Sequence, residues 1–117
     1  MSTAEKKRFI FATGMDLTVA LDVDLSKLTA ELAHEINRFW TGADAVLAAA
    51  DDDPIEAAAR RAALVFLQHY LAYESIELAQ RELDESEGWP PDRAHGITLA
   101  WCDVPSFDAA DLERVRP

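Results

Sequence analysis

Three histidines, a single cysteine and many carboxylates are the side chains of this sequence that could bind a metal or take part in catalysis. Glu31 and His34 have the E-x-x-H spacing that places two metal ligands on one helix face, and Glu74 and Glu77 have the related E-x-x-E spacing. A di-iron site in a helical bundle needs two E-x-x-H motifs and two further glutamates. The sequence has one such motif, so we predict solvated helix faces with no bound metal or cofactor.

Cys102 is the one side chain that could serve as a thiol nucleophile, with His95 or His69 as its base. It lies in a predicted strand without neighbouring cations to lower its pKa, so a buried and unreactive thiol is expected. His95 opens that strand beside Gly96; it is a possible ligand, but an exposed loop residue is the favoured prediction. No Gly-rich phosphate loop and no recognisable Ser-His-Asp spacing occur. We therefore predict no catalytic residues and favour a protein that is not an enzyme.

Residues 53–83 are predicted to form one long helix, around which the other elements must pack. Asp53 can cap its first turn, Pro54 suits the first helical position, and Gly88 with Pro90-Pro91 stops it. One broad apolar face of this helix is predicted to lie against the core. That face comprises Ile55, Ala58, Ala62, Val65, Phe66, His69, Tyr73 and Ile76. His69 is expected to be buried and hydrogen-bonded, and His69 and Tyr73 mark a candidate pocket between sheet and helices.

A second apolar row lies on nearly the opposite side of the same helix. It consists of Leu64, Leu67, Leu71 and Leu78. A helix with two apolar rows is usually covered on both sides, so either another helix of the chain or a second subunit is expected to cover these leucines. They form the candidate protein interface.

The rest of the chain predicts three strands and a first helix. Residues 6–12 and 17–24 alternate apolar and polar side chains and predict a hairpin around Gly14 with one face in water. Ser26 or Thr29 is expected to cap a helix whose apolar spacing continues to residue 50, with a kink or break at Gly42. A third strand is predicted over residues 97–104, followed by one helical turn over 108–112. The order β-β-α-α-β predicts an α+β fold: a three-stranded, mostly antiparallel sheet with a long helical hairpin packed on one face.

The composition limits the classes of protein and partner. A chain of 117 residues predicts one domain over 1–117, with residues 1–5 and 114–117 flexible. Eleven Lys and Arg against 22 Asp and Glu give a net charge of −11, which argues against direct nucleic-acid binding. No membrane span or signal peptide is recognisable, and with a single cysteine a cytoplasmic protein is expected. The candidate acidic surface comprises Asp51, Asp52, Asp53, Glu82, Asp84, Glu85 and Glu87.

Two stretches of the sequence carry a resemblance to known proteins. The first reads LTxELxxEINRFWTGA over residues 28–43; the second has EGWP at 87–90, HGI at 95–97 and FDxxDLE at 107–113. Together they resemble a small bacterial family of unknown function that is carried on phage-derived or conjugative elements. The shared residues have a structural character, so the resemblance implies an accessory protein of a mobile element and no catalytic mechanism.

Three functions follow from these observations, in order of preference. The first is a non-catalytic interaction protein whose partner is a protein, in particular a second copy bound through the leucine row. The second is an acidic decoy that mimics nucleic acid and inhibits a DNA-binding host defence or restriction system; its binding should weaken steeply with salt. The third is a small ligand-binding protein or enzyme, which requires a concave pocket with convergent polar groups near His69 and Tyr73.

Overall fold

A computed structural model describes residues 5–14, 17–104 and 109–115. The elements are β1 (Lys6–Thr13), β2 (Leu17–Asp24), α1 (Ala30–Arg38), α2 (Ala43–Ala49), α3 (Pro54–Tyr73), α4 (Ile76–Glu85), β3 (Ile97–Asp103) and a short 3-10 turn (Ala109–Asp111). The sheet has the order β1-β2-β3, and both pairs of strands are antiparallel. The predicted α+β class and the three-stranded antiparallel sheet are confirmed.

The strand alternation places one face of the sheet against the helices. The buried side chains of that face are Phe9, Val19, Leu21, Val23, Ile97 and Leu99. α3 packs across all three strands, and α4 packs on β3. Side chains such as Ile10 and Thr98 on the opposite face are exposed, as expected for a sheet that helices cover on one side.

The first predicted helix is interrupted at the glycine where a break was expected. Thr29 caps α1 by accepting a hydrogen bond from the backbone of Leu32 at 3.2 Å. Gly42 has a φ of 77°, a left-handed conformation that ends the first helical segment and starts α2. The buried side chain of Asn37 secures this corner, because it donates to the Ala43 carbonyl at 3.0 Å and accepts from Arg61 at 3.0 Å.

The prediction of one continuous helix over residues 53–83 is wrong. Glu74 adopts a φ of 50°, and Ser75 then caps a separate helix by accepting from the backbone of Leu78. This break redirects α4 and changes which side chains are buried: Tyr73 is 63% exposed and Ile76 is also exposed, although both were assigned to the core face. Leu67 was assigned to the outer row and instead belongs to the core, with 8% exposure.

Some predicted features lie outside the described residues. Most of the predicted flexible ends, the Met15-Asp16 part of the first turn and residue Asp108 of the last helical turn are among them. No helix in the described part of the chain is both long and apolar enough to cross a membrane.

Candidate interaction surface and a buried polar network

A groove runs between the outer edge of β1 and the flank of α3. It has a volume of about 410 Å³ and is lined by Ile10, Phe11, Ala12, Thr13, Arg60, Ala63, Leu64 and Leu67. Leu64, one of the lining residues, is 54% exposed, and Leu71, two turns later on α3 and outside the lining, is 42% exposed. The Arg60 guanidinium lies 5.2 Å from the centre of the Phe11 ring. Apart from Arg60 and Thr13 the lining residues are apolar, and Ala63 and Leu67 are the buried ones among them.

The two edges of the sheet differ. Among the described residues, no strand pairs with the outer edge of β1. The outer edge of β3 is covered by Gln80 of α4, whose side-chain amide donates to the Ile97 carbonyl at 3.0 Å and accepts from the Leu99 N–H at 2.7 Å. Gln80 thus makes the two hydrogen bonds that a neighbouring strand would make. One edge is closed by a side chain, and the other borders an apolar groove.

The remaining predicted interface leucine, Leu78, lies elsewhere because of the break at Glu74. It lines a depression of about 300 Å³ between α3 and α4, together with His69, Tyr73, Arg81, Glu82 and Glu85. The His69 ring stacks on Tyr73 with centroids 6.1 Å apart, and its Nε2 lies 3.5 Å from a Glu82 carboxylate oxygen. The His69–Tyr73 pocket thus lies between two helices near the surface, whereas it was predicted between sheet and helices.

His95 is a potentially catalytic residue whose environment differs from the prediction. It was predicted to be exposed, yet its side chain is 0% exposed and its ring packs edge-to-face on Trp89 at 5.9 Å. The N–H of Ile97 donates to Nδ1 at 2.9 Å, and Nε2 lies 2.9 Å from Asp84 Oδ1. Because Nδ1 accepts, the proton of the neutral ring is on Nε2 and points at the Asp84 carboxylate.

Asp84 is the centre of this network. Its carboxylate accepts hydrogen bonds from Gln80 at 3.0 Å and from Arg93 at 2.8 Å in addition to its contact with His95. Burial raises the pKa of the Asp84 carboxyl, but these three hydrogen bonds outweigh burial and leave its pKa below the usual range. Burial lowers the pKa of His95 against the opposing effect of Asp84. The pair is therefore a carboxylate and a neutral imidazole.

The network resembles a catalytic Asp–His pair in its partners but lacks the geometry for proton transfer. A general base needs a ring nitrogen within reach of a substrate proton. Both nitrogens of His95 are engaged within the fold, and the ring has no exposed surface. The arrangement ties α4 and the loop before β3 to the sheet, which is a structural role.

In the described part of the chain, neither Cys102 nor the E-x-x-H and E-x-x-E motifs belong to a cluster of possible metal ligands. Burial raises the pKa of the half-buried Cys102 thiol to about 11, so it is protonated at neutral pH. Within residues 5–14, 17–104 and 109–115, no group of three or more His, Cys, Asp or Glu side chains could hold a metal ion.

The predicted acidic surface residues fall at two places in the fold. Asp51 and Asp52 are exposed in the turn between α2 and α3, where Asp53 caps α3 through a 3.0 Å bond from the Ile55 N–H. Glu82, Glu85 and Glu87 are exposed on and after α4. Asp84, from the same predicted set, turns inward to the network.

Comparison with protein families assigns the chain to a family of unknown function. The family described as "Protein of unknown function (DUF2528)" matches residues 18–114. The match includes both stretches that carried the resemblance and leaves β1 outside. No curated protein and no solved structure matches the chain. The expected membership of a family of unknown function is confirmed: the chain belongs to the DUF2528 family.

Proposed function

We propose that this protein is a non-catalytic interaction module that self-associates as a homodimer along the groove between β1 and α3. The observation that carries the proposal is a mostly apolar groove beside a sheet edge that no described strand covers. Leu64 lines this groove with more than half of its side chain exposed, and Leu71 is exposed two turns further along α3. Contiguous apolar patches larger than roughly a few hundred Å² mark association surfaces. The groove brings together two large apolar residues that are more than half exposed, Ile10 and Leu64. The engaged nitrogens of His95 favour this function over an enzyme.

The leucines can supply part of the binding free energy. Full burial of a leucine is worth about 1.5–3 kcal/mol, and Leu64 and Leu71 are roughly half exposed, so each contributes about 1 kcal/mol per copy. Four leucines in a dimer then contribute about 4 kcal/mol. Loss of translational and rotational freedom alone costs about 4–15 kcal/mol. The leucine contacts therefore need a second set of interactions, which the sheet edge can provide.

The test uses the concentration dependence of the molar mass in sedimentation velocity. We expect the wild-type chain to form dimers and the Leu64→Glu/Leu71→Glu double variant to remain monomeric with unchanged circular dichroism. Leu78→Glu is the control, because Leu78 is as exposed as Leu71, at 42%, but lies on α4 in the separate depression beside His69 and Tyr73. A wild-type monomer at all concentrations, or a double variant that still dimerises, would contradict the proposal.

The acidic decoy is the second candidate, supported by the net charge of −11 and by the exposed acids near Asp51 and Glu85. In this role the protein would act in the cytoplasm of a bacterium that carries a mobile element, against a basic DNA-binding protein. Its complex should weaken steeply between low and high salt, since exposed charges are screened. Capture of partners from a bacterial lysate at both salt concentrations separates the two functions: a salt-sensitive DNA-binding partner supports the decoy, and recovery of the bait alone supports self-association.

A further inference from the structure

Hydrogen bonds at the end of the sheet define which residues of β1 offer backbone groups to a partner. The N–H of Leu25 donates to the Glu5 carbonyl at 2.8 Å, so the backbone groups of Glu5 point toward β2. Successive residues of an antiparallel strand point their N–H and C=O groups to alternate sides. Arg8, Ile10 and Ala12 therefore point their N–H and C=O groups away from β2, toward the groove.

The hydrogen bonds at the outer edge of β3 show independently which residues of β1 point their backbone groups outward. The N–H of Leu99 faces Gln80, away from β2. Leu99 is paired with Leu21, and Leu21 is paired with Phe9. Alternation across these pairs directs the backbone groups of Phe9 toward β2, and those of its neighbour Ile10 outward.

We propose that two copies of this chain pair their β1 strands antiparallel, about a two-fold axis perpendicular to the sheet, with Ile10 opposite Ile10 of the second copy. This inference rests on the proposed self-association and specifies its geometry. The pairing joins the two three-stranded sheets into one continuous sheet with both helical layers on the same side. The exposed leucines of the two α3 helices then face each other across the joined edge.

The side-chain alternation and the charges of β1 select the register. The odd-numbered side chains of β1, such as Phe9, face the helices. Both helical layers lie on one side of the joined sheet only if odd-numbered residues of one copy pair with odd-numbered residues of the other. Registers centred on Phe9, Ile10 or Phe11 meet this condition. Arg8 makes a bidentate ion pair with Asp22 of its own chain, at 2.8 and 2.9 Å. Centring on Phe9 would leave the two Arg8 guanidinium groups only about 7 Å apart along the strands, within the ~8 Å screening length, where they would disturb each other's pairing with Asp22. Centring on Ile10 moves them about 14 Å apart and places Phe9 opposite Phe11 on the helical side. Centring on Phe11 leaves fewer residues of the two β1 strands paired than centring on Ile10.

A second copy of the chain is the occupant favoured by charge and by area. Two molecules of net charge −11 repel least where the local charge is least negative. Lys6, Lys7 and Arg8 make the start of β1 the longest basic run of the sequence, and of these Arg8 is paired with Asp22. The eight residues of β1 span about 27 Å, and a sheet with one helical layer is roughly 20 Å deep. The face therefore buries roughly 500 Å² per copy, or roughly 1,000 Å² in total, the lower limit of a specific interface.

Cysteine cross-linking tests the register directly. In a Cys102→Ser background, Ile10→Cys should form a disulfide-linked dimer under mild oxidation, because directly opposed Cα atoms about 5.5 Å apart suit a disulfide. Arg8→Cys and Ala12→Cys should each remain unlinked alone and should cross-link when mixed. Thr98→Cys, exposed on the same face of β3, is the control and should not cross-link.

A proline variant tests the intermolecular backbone hydrogen bonds independently of cross-linking. Ile10→Pro removes an N–H that points away from β2, so the internal ladder is retained and the intermolecular bond is lost. We expect the dimer dissociation constant to rise at least tenfold with unchanged circular dichroism. An unchanged dissociation constant would overturn the strand pairing.

The outcomes separate this inference from the proposed function. Cross-linking of mixed Arg8→Cys and Ile10→Cys, with Ile10→Cys unlinked alone, would overturn the register while the dimer stands. A dimer in sedimentation without any cross-link at positions 8, 10 or 12 would overturn the strand pairing and leave self-association intact. A monomer at all concentrations would overturn both.

Discussion

Lowering the pH from 7.5 to 5.0 should destabilise the fold through His95. The ring is 0% exposed, its Nδ1 accepts from the Ile97 N–H at 2.9 Å, and its Nε2 faces Asp84 at 2.9 Å. An imidazolium would place a second proton on Nδ1, directly against the N–H of Ile97. Burial and this clash keep the folded ring neutral, and the pKa of His95 is lowered from its ordinary value of 6.5.

The size and sign of the effect follow from proton linkage. Below pH 6.5 the unfolded chain binds a proton at His95 before the folded chain does, so the free energy of unfolding falls as the pH falls. If the folded ring stays neutral down to pH 5.0, the loss is RT ln(1 + 10^1.5), about 2 kcal/mol. The loss stops growing at the folded pKa of His95. Asp84 does not interfere in this range, because a lowered carboxyl pKa costs stability only below the unfolded value of 3.8.

The measurement is urea unfolding at pH 7.5, 6.5, 5.5 and 5.0, at fixed ionic strength and at fixed protein concentration, because the proposed self-association would be coupled to stability. His95→Gln is the reference, since its amide can donate to Asp84 and accept from Ile97 without titrating. The difference between wild type and His95→Gln removes the effects of the other titrating groups. It should shrink by up to about 2 kcal/mol between pH 7.5 and 5.0. A difference that is constant or grows toward pH 5.0 would refute a neutral, buried His95.

Three further changes in stability are expected, each measured by urea unfolding. Gln80→Ala should lower the free energy of unfolding by about 2–4 kcal/mol, because the Ile97 carbonyl and the Leu99 N–H lose their partner. The control Gln68→Ala, on the exposed flank of α3, should lower it by less than about 0.5 kcal/mol. Equal losses would show that Gln80 does not close the edge of β3. Glu74→Gly should gain about 0.5–1 kcal/mol by relieving the φ of 50°, and a loss would contradict that strain. Gly96→Ala should cost about 1–3 kcal/mol, because its φ is 72° and a Cβ would stand 3.0 Å from a backbone oxygen; a neutral effect would show that the turn can relax.

The strands and the helix starts were predictable because their signals are local. The alternation over residues 17–24 specified which side chains of β2 face the helices, and Val19, Leu21 and Val23 are all fully buried. Caps at Thr29 and Asp53 and the break at Gly42 depend on one residue and its near neighbours. Such signals survive in the fold because tertiary packing reinforces them.

The break at Glu74 and the burial of His95 were not predictable by the same reasoning. A left-handed glutamate is rare, and the apolar spacing continues across it, so the one local signal is Ser75, which can cap a new helix. The partners of His95 are on other elements: Asp84 is eleven residues earlier, within a polar run that predicts a solvated surface. Only the docking of α4 against β3 brings these side chains together, and that depends on the break.

The two edges of the sheet connect these features to the proposed function. An open, apolar edge strand invites uncontrolled pairing unless charge, cover or a specific partner limits it. The fold covers β3 with Gln80, which the break at Glu74 brings into position, and it places Lys6, Lys7 and Arg8 at the start of β1. Arg8 is paired with Asp22, but Lys6 and Lys7 oppose parallel, in-register stacking of β1 strands, since like charges would then lie directly opposite. The proposed antiparallel pair centred on Ile10 would avoid that repulsion and would occupy the β1 edge of both copies, so that assembly would stop at two copies.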